Sequence, residues 1–208
     1  MTRLQAPIWL TAPDLTAATL PAAWLVATAM QPRNLTERSK LRRDTARAII
    51  ARQLGVPLEH IGISHDPKGR PVLETPGGTG LYLSLATRSG IVGVALARGP
   101  VGIDVEHVDV TATPPFAALH REEEAALRGF PDEARALAFA RLWAAKEAYV
   151  KALGTGFARA PESFAVRLLS PDRFEVVDPL RGTGAEGAIR PIENGGQEIL
   201  AAAMIVLD

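Results

Sequence analysis

Cysteine is absent from the 208 residues, which excludes a disulfide framework, a thiolate nucleophile and a cysteine-rich zinc site. The absence also suits a reducing compartment. Net charge is lacking too. Basic and acidic residues number 23 each, so there is no simple electrostatic basis for a general nucleic-acid binder, and only a local basic pocket stays open. No hydrophobic run is long enough for a bilayer. The most apolar early stretch, Pro21 to Met30, is too short and lies far from any basic N-terminal flank. It reads as a buried strand around Trp24-Leu25-Val26. With no secretory or lipidation signal, a cytoplasmic protein without a membrane partner is expected. Familiar nucleotide and hydrolase signatures are missing as well. Gly77-Gly78-Thr79-Gly80 lacks the P-loop lysine, Gly154-x-Gly156 lacks the preceding strand and further glycine of a dinucleotide fingerprint, and no Gly-x-Ser-x-Gly elbow occurs. His60, His65, His107 and His120 show no metal-ligand spacing and read as structural or surface residues.

What is present is a chain rich enough in apolar residues, 47% against 22% charged, to bury a sizeable core. Its length fits one compact body, built as a single unit or as two similar halves. An arginine-rich helix is expected from Asn34 to Leu54, with Asn34 as N-cap, Glu37 as its capping-box partner, and Gly55 and Pro57 as stops. Asp66-Pro67-Lys68-Gly69 reads as a type I turn. Leu81 to Leu85, Ile91 to Ala97 and Val101 to Val105 read as strands, with Arg88-Ser89-Gly90 turning between the first two. A short helix from His120 to Arg128 precedes a longer one from Asp132 to Leu153, stopped by Gly154. Strands are then expected at Phe164 to Leu168, Arg173 to Val177 and Gln197 to Leu207, parted by separators rich in Gly, Pro and Asn. Runs of strands beside each helix argue for the α+β class rather than a doubly wound sheet. A boundary between halves is expected near Gly99-Pro100.

Two segments carry chemistry. In Gly102-Ile103-Asp104-Val105-Glu106, strand alternation puts Asp104 and Glu106 on one face and Ile103 and Val105 on the other. Neighbouring carboxylates repel, and a hard divalent cation relieves the conflict; oxygen-only ligands suit magnesium or calcium. In Trp143-Ala144-Ala145-Lys146-Glu147-Ala148-Tyr149-Val150-Lys151, helical spacing aligns Trp143, Glu147 and Lys151, with Lys146 about 100° away around the axis. A carboxylate one turn from an ammonium is a sensible grip for a metal-bound pyrophosphate. Taken alone, each segment is more simply an ordinary one: a half-exposed strand with acids facing water, and a surface Glu–Lys pair.

Together they resemble the 4′-phosphopantetheinyl transferases of the surfactin-synthetase-activating type, which carry a Gly-Ile-Asp-Val-Glu strand followed by a Trp-x-x-Lys-Glu-Ala-x-x-Lys-x-x-Gly helix. Glu123-Glu124-Ala125-Ala126-Leu127, Gly154-Thr155-Gly156-Phe157, Phe164, Gly69-Arg70-Pro71 and Arg47 extend the resemblance from Arg47 to Phe164. It implies two similar halves related by a pseudo-twofold axis, each a helix packed on a small, mainly antiparallel sheet, with coenzyme A bound between them. Residues 1–100 would contribute to coenzyme A binding, and residues 101–208 would carry the metal and catalytic motifs. The implied reaction moves the 4′-phosphopantetheine arm of coenzyme A to a serine of an apo acyl or peptidyl carrier protein, releasing 3′,5′-ADP. Asp104, Glu106 and Glu147 would hold magnesium, and Glu147 or Glu123 would take the serine proton. Lys151 would contact the phosphates, and Arg47, Arg70 and Pro71 would line the 3′-phosphate and adenine side. Arg47 reads equally well, apart from the family, as a solvated helix arginine. A chain with both halves could complete the site as a monomer. The alternatives are a catalytically idle homologue that only binds coenzyme A or carrier protein, and another magnesium-dependent phosphotransferase.

One departure matters. Where the family has Ser-His-Ser, the alignment places Ala86-Thr87-Arg88, so Thr87 replaces a histidine that helps bind coenzyme A. Arg88 could supply the missing phosphate donor, unless the register slips by one.

Overall fold

The computed structural model describes residues 6–30, 32–155, 158–182, 184–194 and 196–208. Gly156 and Phe157, part of the segment matched after the lysine helix, lie outside them.

Strand β1 (Ile8–Leu10) leads to β2 (Ala22–Ala27) and helix α1 (Leu35–Leu54). Asn34, in extended backbone, caps α1 by accepting the Glu37 N–H at 2.9 Å. The Glu37 carboxylate reaches back one residue further than a capping box requires, to the Arg33 N–H at 2.8 Å. At the other end Gly55 takes φ 66°, the left-handed conformation that turns the chain out of a helix. Strands β3 (Gly62–His65) and β4 (Pro71–Glu74) form a separate hairpin. Its tip is the expected turn, with the Gly69 N–H donating to the Asp66 carbonyl and the Asp66 carboxylate accepting from the Lys68 and Arg70 N–H groups. Strands β5 (Tyr82–Arg88), β6 (Ile91–Ala97) and β7 (Val101–His107) follow. Helices α2 (Arg121–Arg128) and α3 (Asp132–Leu153) precede β8 (Ala165–Ser170), β9 (Arg173–Val177), β10 (Ala185–Asn194) and β11 (Gln197–Val206).

The strands form a four-stranded sheet in the order β1-β2-β6-β5 and a five-stranded sheet in the order β7-β11-β10-β9-β8. Only β1 and β2 pair in parallel; the other described pairings are antiparallel. The class is therefore α+β. Alternation on the strands creates four layers. On β2, Trp24 and Val26 meet Ile49 and Ile50 of α1, while Ala23 and Leu25 face the second sheet. On β11, Ala202 and Met204 face the first sheet, while Ala203 and Ile205 face α3. Ile103 and Val105 of β7 belong to the layer between the sheets. The opposite face of β7 thus turns Gly102, Asp104 and Glu106 towards α3.

The structure differs from the sequence expectation in several places. Strand β5 runs on through Thr87 and Arg88, and the turn is confined to Ser89-Gly90, whose φ values of 46° and 79° are both positive. Such a two-residue turn matches the twist of a hairpin, so pairing persists up to Arg88↔Ile91. β1, β3, β4 and β10 were not expected as strands. β1 has three residues, too few to show alternation. β10 carries Gly187, Pro191 and four charged or amide residues, which read locally as a separator; it is held from both sides by β9 and β11.

Candidate active site

Gly102 decides how the two motifs meet. A Cβ at that position would lie 1.7 Å from the Ala148 carbonyl oxygen and 2.7 Å from the Ala152 nitrogen, so only glycine lets the α3 backbone lie directly on β7. The close approach puts the Trp143, Glu147 and Lys151 stripe of α3 beside the acidic face of β7. Those three side chains stay half-buried, while Ala144, Ala145, Ala148, Tyr149 and Ala152 between them are buried.

Lys151 sits at the seam of the sheets, where the edge strands β5 and β7 come together. Its ammonium donates to Asp104 Oδ1 at 2.7 Å, to the Ile103 carbonyl at 3.0 Å and to the Leu85 carbonyl at 3.3 Å. Each hydrogen of the ammonium thus has an acceptor, two of them main-chain groups from different sheets. Beside it the buried Ser84 hydroxyl accepts the Ile103 N–H at 3.1 Å. Glu106 is paired differently, with Arg88 Nη2 at 2.7 Å from its Oε1. Among the described residues Glu147 is the one of the three carboxylates left without a hydrogen bond or ion pair. Burial pushes its carboxyl above the ordinary range, Asp104 and Glu106 add to the rise, and Lys151 opposes it. The three carboxylates are close enough to feel one another. As they stand, however, no three His, Asp or Glu side chains among the described residues are gathered tightly enough to hold a metal ion. The donor chemistry, all oxygen and all anionic, fits a hard divalent cation. The arrangement departs from a closed cage because Arg88 and Lys151 hold the carboxylates of β7.

Above this seam opens a cavity of about 280 Å³ lined by Arg42, His65, Lys68, Arg70, Pro71, Ser84, Leu85, Glu147, Lys151 and Arg159, among others. Its wall is contributed by α1, the β3–β4 hairpin, β5, α3 and the segment after α3. Arg70 is ion-paired with Asp66 at 3.4 Å and lies against Gly154, where a Cβ would meet Arg70 Nη1 at 3.0 Å. Among the described residues Arg42 has no carboxylate partner; burial lowers its pKa, and the neighbouring Arg38 and Arg43 lower it further. Arg159 is anchored to Asp178 at 2.5 Å, yet its buried Nε has no acceptor among the described residues.

The structure therefore brings Arg70, Pro71, Glu147 and Lys151 to the cavity, with Asp104, Glu106 and Arg88 next to it. It does not bring Glu123 or Arg47. Glu123 is 1% exposed on the far side of α3. Its Oε1 accepts Lys146 Nζ at 2.5 Å and the Val166 N–H at 2.7 Å, and its Oε2 accepts the His120 N–H at 2.8 Å. A carboxylate so saturated and closed off cannot reach a substrate proton. Arg47 spends Nε and Nη2 on the Ile61 and Leu58 carbonyls at 2.8 and 3.1 Å, tying α1 to the turn after it. Thr87 donates to its neighbour's carbonyl, at Ala86, and does not line the cavity. Sequence reasoning missed Arg42, Lys68 and Arg159 and set His65 aside. Arg42 had a signal in the arginine density of α1, but the inward-facing position could not be chosen locally.

Two facing sheets, each backed by a helix, thus carry a basic cavity and a group of carboxylates at their seam. Residues 100–201 match the 4′-phosphopantetheinyl transferase superfamily. The chain is 32% identical over 126 residues to the 4′-phosphopantetheinyl transferase HetI of Nostoc sp., covering 58% of this chain and 53% of that one. It is 30% identical over 126 residues to the 4′-phosphopantetheinyl transferase psf-1 of Bacillus pumilus, covering 59% and 52%. With the 4′-phosphopantetheinyl transferase gsp of Aneurinibacillus migulanus it shares 27% over 122 residues, covering 57% and 49%. The chain spans about half the length of the curated relatives it matches. Among the described residues no helix is long and apolar enough to cross a membrane.

Proposed function

We propose that this protein transfers the 4′-phosphopantetheine arm of coenzyme A to a serine of an apo acyl or peptidyl carrier protein, acting as a cytoplasmic, magnesium-dependent monomer. The observation that carries the reading is the meeting of the unpaired Glu147 carboxylate with a basic cavity at the seam of the two sheets. The superfamily match over residues 100–201 supports it. In this reading the two sheet-and-helix layers are halves related by a pseudo-twofold axis, divided near Gly99-Pro100, and coenzyme A lies between them.

The carrier serine oxygen forms a bond to the phosphorus that bears pantetheine, and the bond from that phosphorus to the bridging oxygen breaks, releasing 3′,5′-ADP. Arg42, Lys68 and Arg70 bind the phosphates from the wall of the cavity, the two guanidinium groups matching phosphate oxygens and the Lys68 ammonium adding a point charge. Arg42, on the cavity wall beside the like charges of Arg38 and Arg43, replaces Arg47 in this role. Lys151 holds Asp104 and the two edge strands, orienting the acidic face of β7. The Glu147 carboxylate, its pKa raised by burial and by its acidic neighbours, accepts the serine proton. Asp104, Glu106 and Glu147 would hold magnesium, which when bound supplies Lewis-acid polarisation of the phosphoryl group and charge stabilisation for the leaving group.

The test is incubation with coenzyme A, magnesium and apo-carrier proteins, followed by mass measurement of the carrier. A gain of one phosphopantetheinyl group is expected. An unmodified carrier together with retained coenzyme A binding would mark the protein as a binding homologue.

A further inference from the structure

Arg88 is not in the cavity, and yet it occupies one of the carboxylates on which the site depends. Its Nη2 lies 2.7 Å from Glu106 Oε1. Glu106 is mostly buried, with 17% of its side chain exposed, whereas Arg88 keeps 49% exposed. The pair is therefore asymmetric: the carboxylate is the buried member on β7, and the guanidinium is the exposed one, on the last residue of β5. The same Glu106 oxygen also accepts the His107 N–H at 3.0 Å, which pins its rotamer. This pairing is one physical reason why the carboxylates are not gathered around a common point.

We infer that Arg88 is a resident counter-ion: it neutralises Glu106 when no cation is bound, and is released to the phosphates of the incoming ligand when a cation takes its place. The inference rests on the proposed function and adds a coupling to it. An arginine at this position makes cation binding costly on its own, because Glu106 must first give up its ion pair. It makes the same step favourable when a pyrophosphate arrives, because the freed guanidinium then has a bidentate partner of its own. Cation and polyanion are thereby made to bind together, and binding of either alone is disfavoured.

The experiment measures Mn2+ binding by electron paramagnetic resonance and coenzyme A binding by calorimetry, on the wild type, Arg88→Gln and Arg70→Gln. Arg88 is half exposed, so its replacement leaves the core intact. Without coenzyme A, Arg88→Gln should bind Mn2+ about fivefold more tightly than wild type, the scale of a partly exposed ion pair. Arg70→Gln, which removes the same charge but from Asp66, should change Mn2+ affinity less. Coenzyme A affinity should fall in Arg88→Gln when Mn2+ is present, and stay unchanged in a chelator. Unchanged or weaker Mn2+ binding by Arg88→Gln, or an equal loss of coenzyme A affinity with and without metal, overturns the counter-ion role while leaving the proposed function standing. A wild-type protein that binds no Mn2+ even with coenzyme A overturns the metal reading itself.

Discussion

Helix α3 carries two lysine–carboxylate pairs that look interchangeable in the sequence and serve opposite ends in the fold. Lys146 pairs with Glu123 at 2.5 Å, with 1% and 0% of their side chains exposed. Lys151 pairs with Asp104 at 2.7 Å, with 32% and 14% exposed. The first is sealed. Lys146 also donates to the Phe164 carbonyl and lies 4.3 Å from the centre of the Phe164 ring, while Glu123 closes the first turn of α2. Nothing remains on either partner for a substrate, and the pair locks α2, α3 and β8 together. The second stands at the mouth of a cavity, beside the Glu147 carboxylate, which has no partner among the described residues. The lesson is that a motif lysine and a motif glutamate can be essential for different reasons: one pair sets the rotation of α3, and the other works at the face which that rotation presents.

The largest effect on stability should come from breaking the sealed pair. Glu123→Ala leaves a buried ammonium with one main-chain acceptor, and a loss of about 3–5 kcal/mol is expected in urea unfolding. Replacing both members, Glu123→Leu with Lys146→Met, should recover much of that loss. If the single variant unfolds like wild type, the pair does not organise α2 and α3.

The largest effect on turnover should come from Glu147→Gln, which keeps the shape of the side chain and removes its basicity. Steady-state kinetics should show kcat lower by roughly 10²–10⁴-fold, with the unfolding midpoint little changed. A similar kcat loss in Glu123→Gln, at intact stability, would reverse the assignment of the base.

Lys151→Met should fall between these two, because its ammonium serves both fold and site. A loss of about 1–2 kcal/mol is expected, discounted for partial exposure. Faster hydrogen exchange should appear at the Ile103 amide, beside the seam. A variant with wild-type exchange at Ile103 and a raised KM for coenzyme A would instead make Lys151 a phosphate contact.

The smallest and sharpest comparison is between two arginines of α1. Arg42→Ala should weaken coenzyme A binding by about tenfold or more, the cost of a charge-assisted hydrogen bond, without lowering the unfolding midpoint. Arg47→Ala should cost about 1 kcal/mol of stability for its lost main-chain bonds and affect coenzyme A binding less. Equal losses of binding would return Arg47 to the cavity.

Much of the fold could be read from local pattern, since capping, turn and alternation signals depend on a few neighbouring residues. Asn34, Gly55, Gly154 and the Asp66–Gly69 turn all act within such a range. The separate strands β1, β3 and β10 could not be read, because their pairing partners lie elsewhere in the chain and their own composition is too short or too polar to announce them. For the site, alternation determined that Asp104 and Glu106 share a face, and helical spacing determined that Glu147 and Lys151 share a stripe. Only the tertiary structure decided which charges meet. It buried Glu123 against Lys146, spent Arg47 on the backbone, turned Arg42 inward, and put Arg88 on Glu106. The physical reason is range: a side chain's orientation about its own strand or helix is a local property, but its partner is whatever another segment delivers, and Gly102 had to yield its side chain before α3 could deliver anything to β7.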